Sequence, residues 1–215
     1  MDLIQHLPAG IEPAALWGFV LASILMEITP GPNMAYLAIL AVGDGRRAGY
    51  AAVAGVALGL LAVGLASALG VGAAVAASAW AWQILRWGGV GYLLWLAWDG
   101  WRGAEESPEH AARGSSLGRF FRRGLVTNLL NPKAFALYVA VLPGFLSPQH
   151  PVMPQAIALS LIYVLIATAI HAGIVTAAGT ASKALADPRR QKLARRILSL
   201  MLVGVAVWLA FKTAA

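Results

Sequence analysis

The chain alternates long apolar stretches with short polar ones. Six apolar segments can be placed, roughly at 14–42, 49–74, 79–99, 124–146, 153–181 and 196–213. Each reaches the ~20 residues that a helix needs to cross ~30 Å of hydrocarbon. The pattern predicts an all-α membrane protein of six transmembrane helices, with no separate soluble domain. The polar connections alternate in charge. No basic residue precedes the first span, and the turns at 75–78 and 147–152 carry none. The other connections carry Arg46 and Arg47, then Arg102, Arg113, Arg119, Arg122 and Arg123, then Lys183, Arg189, Arg190, Lys192, Arg195 and Arg196. Together these are 13 of the 16 basic residues. The positive-inside bias places these connections in the cytoplasm and both termini outside.

Two of the segments are interrupted. The first contains Thr29-Pro30-Gly31-Pro32-Asn33 and the fourth contains Asn131-Pro132-Lys133-Ala134. Proline has no N–H and clashes with the carbonyl four residues back, so Pro30 and Pro32 free the carbonyls of Met26 and Ile28. Freed polar groups are tolerated at bilayer depth only where they line a cavity or are covered by protein. Two broken spans in corresponding places of two halves point to a carrier's binding site. The halves also repeat. Ile84-Leu85, Gly91 and Trp95-Leu96-Ala97 recur 113 positions later as Ile197-Leu198, Gly204 and Trp208-Leu209-Ala210. Three spans per half is an odd number, so the second copy is inverted in the membrane. The organisation reads as a three-helix repeat at 1–102, a cytoplasmic linker at 103–118 and a second three-helix repeat at 119–215.

Composition narrows the class. The chain has 215 residues, 60% hydrophobic and 12% charged, with a mean hydropathy of +0.73. A soluble domain carries about twice that charge. The pI of 10.3 alone would suit nucleic acid. The segregation of the charges predicts a membrane surface instead, with lipid as a partner and no nucleic acid. Absence of cysteine excludes disulfides, thiol-redox chemistry and thiolate metal sites. There is no phosphate-binding G-x-x-x-x-G-K-[ST] loop, no G-x-S-x-G elbow and no H-E-x-x-H. Met and His are few and scattered. We therefore expect no enzyme activity, no cofactor and no metal. The first ten residues carry no Lys or Arg, so no cleavable signal peptide is predicted. Gly55, Gly59 and Gly64 permit close helix approach, and the glycine-rich spans allow a homodimer.

The candidate chemistry gathers at the breaks. Thr29 and Asn131 are good N-cap residues, with Pro30 and Pro132 at the favoured first helical position. The first new helix would start roughly 18 Å from the cytoplasmic edge and the second roughly 12 Å in, one layer near mid-membrane. Two positive helix ends facing one point suit a carboxylate, and freed carbonyls suit an ammonium. Together they suit a zwitterion. Glu27 and Lys133 are the most deeply placed charges, and intramembrane charges are functional by default. We expect them to face one cavity, with Glu27 as a proton or ammonium site and Lys133 steadying the carboxylate. The alternative is a pair that only locks two helices. Asn33, Asn128 and Asn131 add uncharged hydrogen bonds, either to substrate or to the freed backbone. His171, in the fifth span, is either a proton relay or a polar packing contact.

These residues resemble a known family. Glu27-Ile-Thr-Pro-Gly-Pro-Asn33, Gly45-Arg-Arg-Ala-Gly49, Gly55-Val-Ala-Leu-Gly59, Gly91-Tyr-Leu-Leu-Trp-Leu-Ala-Trp98 and Asn128-Leu-Leu-Asn-Pro-Lys-Ala134 are similar to segments of the LysE/RhtB amino-acid exporters. The resemblance runs in order over nearly the whole chain. It implies a six-helix bacterial inner-membrane carrier that exports amino acids such as homoserine, threonine or lysine, driven by the proton gradient. Pro30, Gly31, Pro32, Asn33, Asn131, Pro132 and Lys133 match its signature. The chain departs from the pattern at Val63, where many members carry a polar residue, and at Glu27. The reading is a secondary exporter of a small amino acid or related zwitterion, working by proton antiport. The alternatives are an inorganic-ion efflux carrier or a non-transporting membrane assembly factor.

Overall fold

A computed structural model describes residues 10–29, 31–103, 116–184 and 188–212. Pro30, Arg113, residues 104–115 of the expected linker and the two chain ends lie outside the described residues. So do the side chains of Arg86, Lys183, Arg195 and Lys212. The described residues form helices and no strand. In order these are α1 (Pro13–Ile28), α2 (Pro32–Gly43), α3 (Arg46–Ala68), α4 (Val71–Ala77), α5 (Ala79–Gly103), α6 (Leu117–Leu129), α7 (Pro132–Ala136), α8 (Val152–Ala184) and α9 (Pro188–Lys212). A wide π turn, Leu137–Val141, and a tight turn, Leu142–Phe145, follow α7.

Helices thus stand at all six expected apolar segments. By length and hydropathy α3 and α8 can each cross a bilayer. Two bent pairs meet the same measure when each is taken as one span. They are α1 with α2, bent by 55°, and α6 with Pro132–Phe145, bent by 50°. The tryptophan-rich α5 and the basic-ended α9 fall short of it over the described residues. The second segment ends earlier than its hydropathy suggests. Gly70 takes a left-handed conformation, φ +85°, which stops α3 at Ala68, and α4 starts from it.

The faces of the helices explain what is buried. On α1, Trp17, Leu21, Leu25 and Ile28 share an outward face, each more than half exposed, while Phe19, Ser23 and Glu27 share the buried one. On α8, Leu159, Tyr163, Ala167, His171 and Val175 recur every four residues and are buried, whereas Leu161 and Leu165 point outward. An outward apolar face beside an inward polar one is the pattern of a chain dissolved in lipid. Trp80, Trp87 and Trp98 are exposed, which is what a tryptophan anchoring a helix at a membrane interface requires.

The tightest packing joins α3 to α6. A Cβ on Gly55 would lie 2.0 Å from the Phe121 carbonyl oxygen, and one on Gly124 would lie 2.1 Å from that of Ala52. The backbones touch, which only glycine allows. Arg46, at the start of α3, donates to the Thr176 carbonyl at 3.1 Å and to the Thr180 hydroxyl near the end of α8. Arg123 grips both oxygens of Asp99, at 2.6 and 3.3 Å, and lies 4.9 Å over Trp95. Arg196 lies 4.9 Å over Trp101. The basic connections therefore gather at one end of the molecule, bound to helix ends rather than only to solvent.

Two apolar clusters divide the core. One holds Tyr36, Leu40, Ala52, Leu96, Phe120 and Val175, at the basic end. The other holds Phe19, Val56, Ala134, Leu137, Tyr163 and Ala167. Between them the chain places its polar residues. Glu27 and Asn33 fall between Phe19 and Tyr36, Asn128 and Asn131 between Phe120 and Ala134, and His171 between Ala167 and Val175.

Candidate functional site

The first break is wider than its N-cap signal suggests. Thr29 ends α1 instead of starting α2. Its backbone is extended, φ −63° and ψ 122°, and its hydroxyl donates to the Leu25 carbonyl at 2.9 Å. Gly31 is extended as well, and α2 begins at Pro32. The reason is steric. A residue before proline is pushed out of the helical region. With prolines at 30 and 32, Thr29 and Gly31 both leave the helix, and the chain cannot resume it until Pro32.

The second break follows its sequence signals. Asn131 is extended, φ −92° and ψ 103°, and Pro132 opens α7. The Asn131 Oδ1 accepts the Lys133 N–H at 3.1 Å, a true N-cap. The helical backbone runs on from Pro132 through the π turn to Phe145, so its dipole gives this end only a partial positive charge beside the full charge of the Lys133 ammonium. The positive charge at this break belongs mainly to the Lys133 side chain, not to the helix end.

The breaks meet. Lys133 Nζ donates to the Thr29 carbonyl oxygen at 2.7 Å, across 104 residues of sequence. Its stem crosses Gly31, where a Cβ would stand 3.2 Å from Lys133 Cδ and 3.5 Å from Nζ. One turn back, Glu27 is 5% exposed. Its Oε1 accepts the Tyr163 hydroxyl at 2.5 Å. Its Oε2 stands 3.2 Å from His171 Nε2, at ion-pair distance but without straight hydrogen-bond alignment. Among the described residues Lys133 and Glu27 form no ion pair. The helix-locking pair considered from sequence is therefore not what these two charges make. Glu27 is met by α8, and Lys133 by backbone. On the near side of α2, Asn33 Nδ2 donates to Asn128 Oδ1 at 3.0 Å, tying α2 to α6. Asn33 Oδ1, Asn128 Nδ2 and His171 Nδ1 are buried without a hydrogen-bond partner among the described residues.

Glu27, Gly31, Asn33, Met34, Asn131, Lys133 and His171 enclose a polar cavity of about 10 Å³. That is about room for one water and no amino acid. A roomier cavity, about 410 Å³, lies between α3, α4, α5 and α6 and contains Val63. Its lining is almost wholly apolar and offers a charged ligand nothing to bind, so the chemistry points to the small polar one. Of the residues singled out from sequence, Glu27, Gly31, Asn33, Asn131, Lys133 and His171 line this cavity; Asn128 is joined to Asn33, Pro32 and Pro132 are buried outside the lining, and Thr29 is a helix end with an exposed side chain rather than an N-cap. Tyr163 was not foreseen. It stands eight residues before His171, on the same helix face, and that spacing was the available signal.

The stretch of chain similar to known proteins spans both breaks. The family model described as LysE type translocator matches residues 24–213. The homoserine/homoserine lactone efflux protein of Salmonella typhimurium is 29% identical over 191 residues, 87% of this chain and 93% of that relative. The threonine efflux protein of the same organism is 31% identical over 127 residues, 57% of this chain and 62% of the relative. The leucine efflux protein of Enterobacter sp. is 29% identical over 134 residues, 60% and 63% of the two chains. No solved structure matches at a significant level.

Proposed function

The chain belongs to the LysE type translocator family, a membrane translocator and not an enzyme, and from that premise we propose that it exports a small amino acid or related zwitterion by proton antiport. The contact between the two breaks carries this reading. It brings a cation held by the Thr29 carbonyl, two asparagines and a buried carboxylate around one cavity. Gly31, Pro32, Asn33, Asn128, Asn131, Pro132 and Lys133 form the substrate site, with Pro30 by its place in the motif and Thr29 through its carbonyl. Glu27 and His171 hold the coupling proton between carboxylate and imidazole, with Tyr163 orienting Glu27. The apolar clusters on either side act as the two barriers. Opening one at a time gives alternating access.

The six helix positions are read as six spans in two inverted halves, joined by the 103–118 linker, with both termini outside a bacterial inner membrane. Packing supports the inversion. The middle span of each half rests on the broken span of the other, α3 on α6 and α8 on α1 and α2, while α5 pairs with α9. The test is release of labelled homoserine, threonine and leucine from loaded vesicles. Acid outside should accelerate release of at least one. Release indifferent to the pH gradient removes the antiport, and no release of any removes the exporter.

The rival reading, efflux of an inorganic ion, would start from Glu27 and His171. Among the described residues no third His, Cys, Asp or Glu joins them. Growth separates the two. Overexpression should confer resistance to toxic amino-acid analogues; resistance to metals alone would favour the rival.

A further inference from the structure

We propose that Lys133 is a built-in stand-in for the substrate's ammonium: it holds the Thr29 carbonyl while the carrier is empty and yields it when a zwitterion enters. This deepens the exporter reading and rests on it.

Four observations lead here. The Lys133 ammonium crosses from one half of the chain to the other to reach a backbone carbonyl at the first break, at 2.7 Å. It does so although a carboxylate, Glu27, lines the same cavity. Glu27 is instead engaged by Tyr163 and His171. Finally, Gly31 leaves the space through which the lysine stem passes, and the cavity that remains holds about 10 Å³. The lysine occupies the room that a ligand needs.

The energetics favour an exchange. A carbonyl left bare at bilayer depth is costly, so the empty site needs a donor. A neutral carbonyl holds an ammonium less strongly than a carboxylate does. An entering amino acid offers both missing parts. Its carboxylate draws Lys133 off the carbonyl into a charge-assisted pair, and its own ammonium takes the place vacated. The Thr29 carbonyl and the Lys133 ammonium each keep a partner before and after. No bond is made or broken other than hydrogen bonds. The exchange requires both a free ammonium and a carboxylate, so an amino acid acetylated on nitrogen should not load.

The consequence concerns how the empty carrier resets. With Lys133 in place, the Thr29 carbonyl of the unloaded site has its donor and the carrier can reorient. Without it, only a loaded site is satisfied. Exchange, which never requires the empty form to reorient, should then suffer less than net efflux.

The experiment uses purified full-length protein in vesicles holding labelled homoserine, threonine or leucine. Wild type, Lys133→Gln and Lys133→Arg are compared for net efflux and for exchange against saturating unlabelled amino acid outside. In Lys133→Gln, net efflux should fall further than exchange by about tenfold, the least expected for loss of a charge-assisted hydrogen bond. Lys133→Arg, which keeps a cationic donor, should recover part of the net efflux and confirms that the protein folds with a substituted lysine. If the two modes fall in parallel in Lys133→Gln, or neither falls, the stand-in role is wrong while the exporter reading survives. If wild type neither releases nor exchanges any of the three, both are wrong.

Discussion

The two proline breaks differ in what they leave unsatisfied. At the second, one proline follows a capping asparagine, and the chain closes on itself: Asn131 takes the Lys133 N–H and the helix resumes at once. At the first, two prolines hold Thr29 and Gly31 extended, no side chain caps α2, and the Thr29 carbonyl is answered only from the other half of the molecule. One break is an acceptor and the other delivers a donor. Two similar proline motifs therefore do not present the same groups; one gives the acceptor and the other the donor of a single contact. The difference comes from a single extra proline: Thr29 and Gly31 are both held extended before a proline, whereas at the second break Asn131 alone is.

Substitutions can break that comparison or sharpen it. The largest effect is expected at Glu27, one turn before the acceptor break. Glu27→Gln keeps the shape and the Tyr163 bond but loses the charge that His171 meets. Efflux driven by a pH gradient should drop to background while the protein still inserts and elutes as one species. Unaltered efflux would remove Glu27 from the mechanism. Next comes Gly31→Ala, whose methyl would press on the Lys133 stem at 3.2 Å. The lysine stem must give by a few tenths of an ångström, which strains its contact with the carbonyl, and net efflux should fall by about fivefold, equivalent to ~1 kcal/mol of overpacking. No loss there would show that the Lys133 path has slack.

Smaller effects test the self-capped break. Asn131→Ala should lower stability by about 1 kcal/mol, the usual worth of an N-cap, seen as a lower thermal midpoint in detergent. A large loss of transport with an unchanged midpoint would instead make Asn131 a substrate contact. The smallest effect is expected from Thr29→Ala. The acceptor at Thr29 is its backbone, and the side chain only turns back to Leu25. Stability should stay within about 0.5 kcal/mol, the range of ordinary exposed substitutions, and efflux close to that of wild type. Strong loss in this variant would show that the hydroxyl, not the carbonyl, carries the function.

Much of this was open to inspection in the chain itself. Periodicity and hydropathy place the helices because a chain in lipid must satisfy its backbone within each segment. Pro32 and Pro132 locate both helix restarts because a proline ring restricts its own residue and the one before it, whatever surrounds them. The glycine run in α3 announces close approach, and Gly55 against Phe121 bears it out. Partnership was not open to inspection. Glu27 and Lys133 read by charge and depth as facing one cavity, which both line, yet α8 supplies Glu27 with Tyr163 and His171 from 136 and 144 residues away in the chain.

What the sequence determined by itself, then, is where the chain is helical, where it must break and which residues it puts near each break, since these follow from local sterics and the cost of bare polar groups in lipid. Which acceptor receives the lysine, which carboxylate partner faces the histidine and how little space is left between them were decided only by the tertiary structure. Those are properties of how three separate helices cross, and the crossing depends on side chains far apart in sequence whose contacts no local pattern records.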